Sequence, residues 1–328
     1  AIRLRPGMRI VDTGSSWLNH PYLYSAAGEL TEWELARLQR EGYTEAFIDL
    51  ANCRPGSLPP DLEALAALHI RAMNAEYPDF IPPPPKIVLE EELPRARAVF
   101  RSSFAMARTL MDGARAGKRF DPESAAPVVE EMLESLDRNA DALFGLCKLR
   151  QTDDYTYTHC VNVSVLAVLF ARGLGSSADT PHSIGLGGLF HDVGKARIPL
   201  HILNAPRRLT DDEMKIMRRH PQYGFDALQE YPDAAKEVYQ VVIEHHEQYV
   251  GEGYPNKLPG TNISLAGRIG AVVDVFDALS SRRVYKDAMP LSKALSILYS
   301  MRGKELFPGM VERFIRLLGV FPIGSGVE

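Results

Sequence analysis

Residues 157–175 read YTHCVNVSVLAVLFARGLG. Apolar side chains fill this stretch, and Gly173 or Gly175 can close it, so the pattern predicts a helix that is buried rather than one lying on a surface. The segments around it carry helical spacing too. In APVVEEMLESLDRNADALFGLCKL, residues 126–149, the apolar positions Val128, Val129, Met132, Leu133, Leu136, Leu143 and Phe144 recur at steps of three and four, which predicts one amphipathic helix. DDEMKIMRRHPQYGFDALQEY, KEVYQVVIEHHE, LAGRIGAVVDVFDALSS and the C-terminal segment read the same way. No strand alternation interrupts them, so residues 95–328 are expected to form an all-α domain.

Ahead of it the pattern changes. LRPGMRIVD and TEAFIDLA have the look of short strands, and LTEWELARLQREG lies between them as a helix, with Thr31 as N-cap, Glu34 completing a capping box and Gly42 as the stop. Residues 1–54 are therefore expected to be a small α/β domain, which makes the chain α+β overall. Trp17 and His20, in SSWLNHPY, read as packing residues. Between the two domains stand Pro55, Pro59, Pro60, Pro78 and the run Pro82 to Pro85. A tract of this kind is stiff and extended, so residues 55–94 are assigned to a linker.

The 328 residues are 45% hydrophobic and 24% charged, an ordinary globular balance. The net charge of −5 argues against a nucleic acid polymer as partner, while leaving room for a small anion held by local cations. Cys53, Cys147 and Cys160 are odd in number, far apart and without C-x-x-C spacing, which suits buried, reduced thiols in the cytoplasm. The longest apolar run is too short for a bilayer and no signal-peptide pattern heads the chain, so no membrane segment is expected. The opening on Ala1 reads as a trimmed start.

Histidines and carboxylates sit on these apolar helices. His159 starts one, His191 and Asp192 adjoin in GGLFHDVGKARIP, His220 precedes a proline, His245 and His246 end another, and Asp274 lies in AVVDVFDAL. Any one of them could be a hydrogen-bonded core residue. Seven in one helical domain are hard to satisfy that way, since a buried charge is costly unless paired or metal-bound. Imidazole with carboxylate and no thiolate suits Fe or Mn, with Ni or Zn as alternatives, at a catalytic centre. One ion would leave about half the set idle. Two ions can share a carboxylate and act together on a phosphoester.

The segments GLFHDVGKARIP, HHEQYVGEGYP and RIGAVVDVFDALSSRRVYK resemble the successive signatures of HD-GYP domains, a branch of the HD phosphohydrolase superfamily. The resemblance runs from about Arg95 to the end. The N-terminal unit resembles, less closely, a small domain of unknown function often fused ahead of such enzymes. The resemblance implies an HD-type helical domain that hydrolyses cyclic di-GMP to linear pGpG, with further cleavage to GMP open, through a metal-bridging hydroxide at a centre of two divalent ions. It makes His159, His191, Asp192 and Asp274 ligands of one ion, with Asp192 bridging to a second held by His220, His245 and His246. Lys195 would stabilise the phosphate or protonate the leaving 3′-oxygen. Gly251 and Gly253 would shape the turn that presents Tyr254 to the dinucleotide, and Arg283 and Lys286 would meet phosphate and guanine, with Arg282 a solvated neighbour.

Two departures bear on this. Members with three metals carry a glutamate four residues before the first histidine, where this chain has Tyr155, so two ions are expected. Val250 replaces a residue that is often acidic or amide before Gly251. His69, His182 and His201 match no ligand position and read as structural. A cyclic di-GMP receptor with slow or absent turnover, its N-terminal unit carrying the output, is the competing reading from another class. An HD nucleotidase acting on another phosphate ester is a third. Either a homodimer or a signalling-protein partner fits the chain.

Overall fold

Positions 161–168 include no residue with appreciable exposure. The computed structural model that shows this describes residues 5–7, 10–12, 31–32, 35–36, 40, 47–48, 54, 56–60, 85–118, 122–149, 155–177, 179–229, 234–281, 289 and 291–318. The chain divides into two compact units, Ala1–Asp79 and Phe80–Glu328.

The second unit is helical. Its elements are α1 (Leu89–Arg115), α2 (Ala126–Leu149), α3 (Tyr155–Gly173), α4 (Thr180–Phe190), a 3-10 turn at Val193–Arg197, α5 (Leu200–Leu203), α6 (Asp211–Met217), α7 (His220–Leu228), α8 (Lys236–Glu244), α9 (Leu265–Ser280), α10 (Leu291–Ser300) and α11 (Met310–Leu318). Helix α3 is buried because α1, α2, α4 and α9 all pack on it. Helix α4, GLGGLF at its end, is buried nearly all round as well. It touches α3 closely enough for Ser164 Oγ to donate to Gly185 O at 2.7 Å, and its other side meets α8. Phe100, Phe170, Phe190, Phe276 and Phe314 are among the side chains shut off from solvent. Each contributes about 1.5–3 kcal/mol relative to an exposed ring.

Two sequence expectations need correction. Helix α2 is not one continuous helix. Asn139 leaves helical geometry at φ −161° and ψ 103°. Its Nδ2 donates to Ile87 O at 2.9 Å and its Oδ1 accepts Asp141 N–H at 3.1 Å. The asparagine thus caps a second helical segment, and apolar spacing alone cannot see this because it resumes on the same face. The linker expected over residues 55–94 also ends too late. The helical unit starts at Phe80 and α1 at Leu89, ahead of residue 95. Pro94 lies near the start of α1, where a proline removes a single backbone hydrogen bond and leaves the remaining turns intact.

In the first unit, β1 (Ile10–Asp12) pairs antiparallel with β2 (Phe47–Ile48), Ile10 opposite Ile48. Leu35 N–H donates to Thr31 O at 3.0 Å. Most of the expected α/β unit, including Trp17, His20, Glu34, Gly42 and Cys53, lies outside the described residues, as does His69. Cys147 and Cys160 are buried and form no disulfide. No helix among the described residues is long and apolar enough to cross a membrane.

Candidate metal centre

The ends of three helices, one mid-helix residue on α9 and one near the start of α3 meet at a single point. His159 comes from the second turn of α3. His191 is the C-cap of α4 and Asp192 the residue that opens the following 3-10 turn. His220 is the first residue of α7, where Pro221 suits the first turn, having no N–H to leave unbonded. His245 caps α8, His246 follows it, and Asp274 lies on α9. His159, His191, Asp192, His220, His245 and Asp274 are each at most 8% exposed. His246 is more open, with 27% of its side chain accessible.

Glycine makes one of these approaches feasible. A Cβ on Gly194 would stand 1.9 Å from His220 O and 2.5 Å from Gly224 N, so only glycine lets the turn bearing Asp192 rest against the start of α7. Asp192 and His220 meet as a result.

The ring nitrogens have fixed roles. Nδ1 of His191 donates to Gly188 O at 2.7 Å, that of His220 to Met217 O at 2.9 Å, and that of His245 to Val241 O and Val242 O at 3.1 and 3.0 Å. A carbonyl only accepts, so each Nδ1 carries a proton and each ring turns its Nε2 to the centre. Burial pulls His220 down to about 3 and His245 to about 4, which keeps both neutral. Their Nε2 atoms are 3.2 Å apart, and Asp192 Oδ1 lies 3.3 Å from His220 Nε2. That Asp192 oxygen is buried without a hydrogen-bond donor. Three acceptors therefore converge with nothing to donate to them, an arrangement that a cation resolves.

The second cluster adjoins the first. His159 Nε2 is 3.3 Å from His191 Nε2 and 3.1 Å from Asp274 Oδ1, and Asp192 Oδ2 is 3.3 Å from His191 Nε2. His220, His245 and His246 form one group able to hold an ion, and His159, His191 and Asp192 another, with the ligand atoms in each within 4.8 Å of one another. Asp192 turns one oxygen to each group. So does Asp274, whose Oδ2 lies 3.8 Å from His246 Nδ1, although the sequence reading gave it to the first group alone. Burial opposes both carboxylates' charge. His191 and Lys195 outweigh it at Asp192, and His159 does so at Asp274, so both stay well below the ordinary range. Burial also lowers His159, but hydrogen bonds to Asp274 and Asp277 more than offset it and raise the ring to about 9. The residues present fit divalent ions.

Lys195 Nζ lies 2.6 Å from Asp192 Oδ2. Burial opposes its charge, yet Asp192 raises it, so the ammonium persists at neutral pH. Tyr254 stands at the mouth. Its ring centroid is 4.7 Å from that of His246, and the exposed Arg218 guanidinium lies 5.5 Å from the tyrosine centroid. Burial and the Asp274 and Asp192 charges push the phenol up, which keeps it a hydroxyl. Gly251 has φ 81°, and the Tyr254–Pro255 peptide is cis. Arg282, Arg283 and Lys286 lie outside the described residues, and the side chain of Tyr155 is likewise undescribed. Val250 is 45% exposed. His182 bonds Ala126 O at 3.3 Å, and His201 is exposed on α5.

Sequence reading missed Asp277, which receives His159 Nδ1–H at 2.6 Å and is itself held by Asn162 Nδ2 at 2.8 Å and Ser281 Oγ at 2.9 Å. Such a carboxylate fixes the tautomer and strengthens the ligand. Its spacing of three residues from Asp274 was the available signal. Glu244, Glu247, Gly194 and Arg218 were missed as well.

Comparison with known proteins places the chain in a family. A family model described as HD domain matches residues 129–309, and one described as a domain of unknown function (DUF3391) matches residues 2–125. The chain is 34% identical over 328 residues to a cyclic di-GMP phosphodiesterase of Pseudomonas aeruginosa, covering 99% of this chain and 77% of that protein. It is 37% identical over 191 residues to the cyclic di-GMP phosphodiesterase response regulator RpfG of Xanthomonas campestris pv. campestris, covering 58% of this chain and 50% of that one. A solved HDG"Y"P protein from Bdellovibrio bacteriovorus superposes with a TM-score of 0.57 over 87% of this chain and 86% of its own, at 18% identity, a likeness of fold.

Proposed function

From the premise that this chain belongs to the HD-domain family, we propose that it is a metal-dependent phosphodiesterase that opens cyclic di-GMP to linear pGpG. One observation carries the reading. Nε2 of His220, Nε2 of His245 and Asp192 Oδ1 converge in a buried site without a donor among them. The names of the Pseudomonas and Xanthomonas relatives supply the substrate.

Two divalent ions, Fe or Mn before Ni or Zn, would supply the charge that activates water and stabilises the oxygens of in-line transfer at phosphorus. His159, His191, Asp192 and Asp274 would hold one, and His220, His245 and His246 the other, with Asp192 and Asp274 each offering an oxygen to both. Lys195 keeps its proton beside Asp192 and would stabilise the phosphate or protonate the leaving 3′-oxygen. Tyr254 offers a hydroxyl and a ring face at the mouth. Arg283 and Lys286 are assigned to phosphate and guanine, where a guanidinium fork and a point charge suit different acceptors. Tyr155 supplies no carboxylate at the position where three-ion members have one, in keeping with two ions and with pGpG as product. The buried thiols Cys147 and Cys160, outside any disulfide, fit action in the cytoplasm.

The test is to load the full chain with Mn(II) or, anaerobically, Fe(II), add cyclic di-GMP, and resolve products by chromatography. Linear pGpG at a rate that chelation abolishes is expected. Tight binding with no product over hours identifies a receptor and overturns the enzyme reading, and preference for a linear nucleotide overturns the assigned substrate.

A further inference from the structure

The block Glu244-His245-His246-Glu247 places two imidazoles at the centre and flanks them with two buried carboxylates that no metal group includes. Glu244 Oε2 accepts Ser264 N–H at 2.8 Å, at the start of α9. Glu247, 2% exposed, uses both of its oxygens. Oε1 accepts Asn256 N–H at 2.6 Å and Oε2 accepts Leu258 N–H at 2.9 Å. Between those two amides lies Lys257, whose φ of 55° is left-handed, a conformation that a side chain disfavours. The same loop is fixed at two further points. Tyr254 N–H donates to His246 O at 3.1 Å. A Cβ on Gly253 would stand 2.4 Å from Gln248 N and 2.6 Å from His246 O, so the loop lies directly on the backbone of the histidine pair.

We infer that Glu247 is a positioning residue for substrate binding: its carboxylate clamps the 256–258 backbone and so sets where Tyr254 stands relative to the metal centre. The claim rests on the function proposed above for its substrate, but the clamp itself does not. Both oxygens accept, which makes the isosteric amide the informative change. In Glu247→Gln one backbone N–H faces an NH2, donor against donor, and that contact is lost with little change in shape. Glu244 makes a single backbone contact, so Glu244→Gln can turn its carbonyl to Ser264 and keep it. The two variants lie on the same helix end and separate the clamp from any general effect of removing charge beside the imidazoles.

The experiment uses the full chain loaded with Mn(II). For Glu247→Gln we expect amide hydrogen exchange at Asn256 and Leu258 to quicken at least about tenfold, KM for cyclic di-GMP to rise about tenfold, and kcat to stay within about threefold. Metal content should match the parent protein, and Glu244→Gln should leave all four readouts in place. Unchanged exchange at both amides overturns the clamp. Faster exchange with unchanged KM overturns its role in binding, and loss of metal from Glu247→Gln shows that the carboxylate serves the centre instead. If the parent protein turns over no cyclic di-GMP, the dissociation constant for the dinucleotide replaces KM, so exchange and affinity still decide the clamp while the function fails separately.

Discussion

At Asp192 one carboxylate faces imidazoles on both sides and an ammonium on one, with Oδ2 toward His191 and Lys195 and Oδ1 toward His220. Lys195 is thereby tethered three residues from the ligand it neutralises, on a turn too short to let it wander. If its part is to charge-stabilise or protonate the leaving oxygen, Lys195→Met should lower kcat by about 10²–10⁴. The ions would then be the remaining counter-charges of Asp192, so metal content should not fall. Steady-state kinetics beside elemental analysis check this, and a kcat within about tenfold of the parent removes Lys195 from the chemistry. The ligands were legible in the sequence because histidine and aspartate are conspicuous among apolar residues. Asp277 was missed because its spacing from Asp274 is only a faint signal, and what marks its role is a hydrogen bond to His159 across 118 residues. Glu247 escaped for a similar reason: its partners are backbone amides, which every residue but proline possesses.

Helix α1 is joined to α2 by a charge that only the folded arrangement explains. Glu92 is fully buried; Arg138 Nε reaches its Oε2 at 2.7 Å, Arg138 Nη2 reaches Oε1 at 3.1 Å, and Ser135 Oγ donates to Oε1 at 2.7 Å. Burial disfavours the carboxylate, but the bonds from Arg138 and Ser135 prevail and hold it below its ordinary 4.5. Removing the guanidinium leaves a buried charge without its counter-ion, so Arg138→Met should destabilise the protein by about 3 kcal/mol near neutral pH, at the low end for a buried pair because Arg138 is partly exposed. A carboxyl lowered on folding contributes stability above its unfolded value and loses it as pH falls through the folded one. The gap between variant and parent should therefore close below pH 4.5, and denaturant titrations at pH 7 and pH 4 measure both. An equal gap at the two values assigns the loss to packing. Sequence reading identified α2 by its apolar face, and missed the break at Asn139 because a cap of this kind depends on Ile87, far away in the chain.

Across the molecule, the fold class was legible because helical spacing persists through the second unit, whereas the unit boundary was not, because proline marks extended chain and the first turns of helices alike. The same buried helices that bring the imidazoles together also fix how stability depends on pH once metal is removed. His220 and His245 are neutral when folded, at about 3 and 4, and bind protons when unfolded near 6.5. Their contribution is present above pH 6.5 and is lost as pH falls toward those folded values. His159 has the opposite sign. Its folded value of about 9 means that its contribution is complete below pH 6.5 and is lost as pH rises through 9. The metal-free protein should thus be most stable near pH 6.5 and fall off on both sides, more steeply in acid, where His246, lowered by burial as well, joins His220 and His245 so that three imidazoles act against one, and where Asp192 and Asp274 add their own loss near the bottom of the range. Ions binding the deprotonated rings take over the role of the His159 proton, so loading Mn(II) should flatten the alkaline flank and steepen the acid one. Unfolding midpoints recorded from pH 4 to pH 9.5, with chelator and with Mn(II), read both flanks. Superimposable curves would mean that these seven side chains do not bind the ion where they converge.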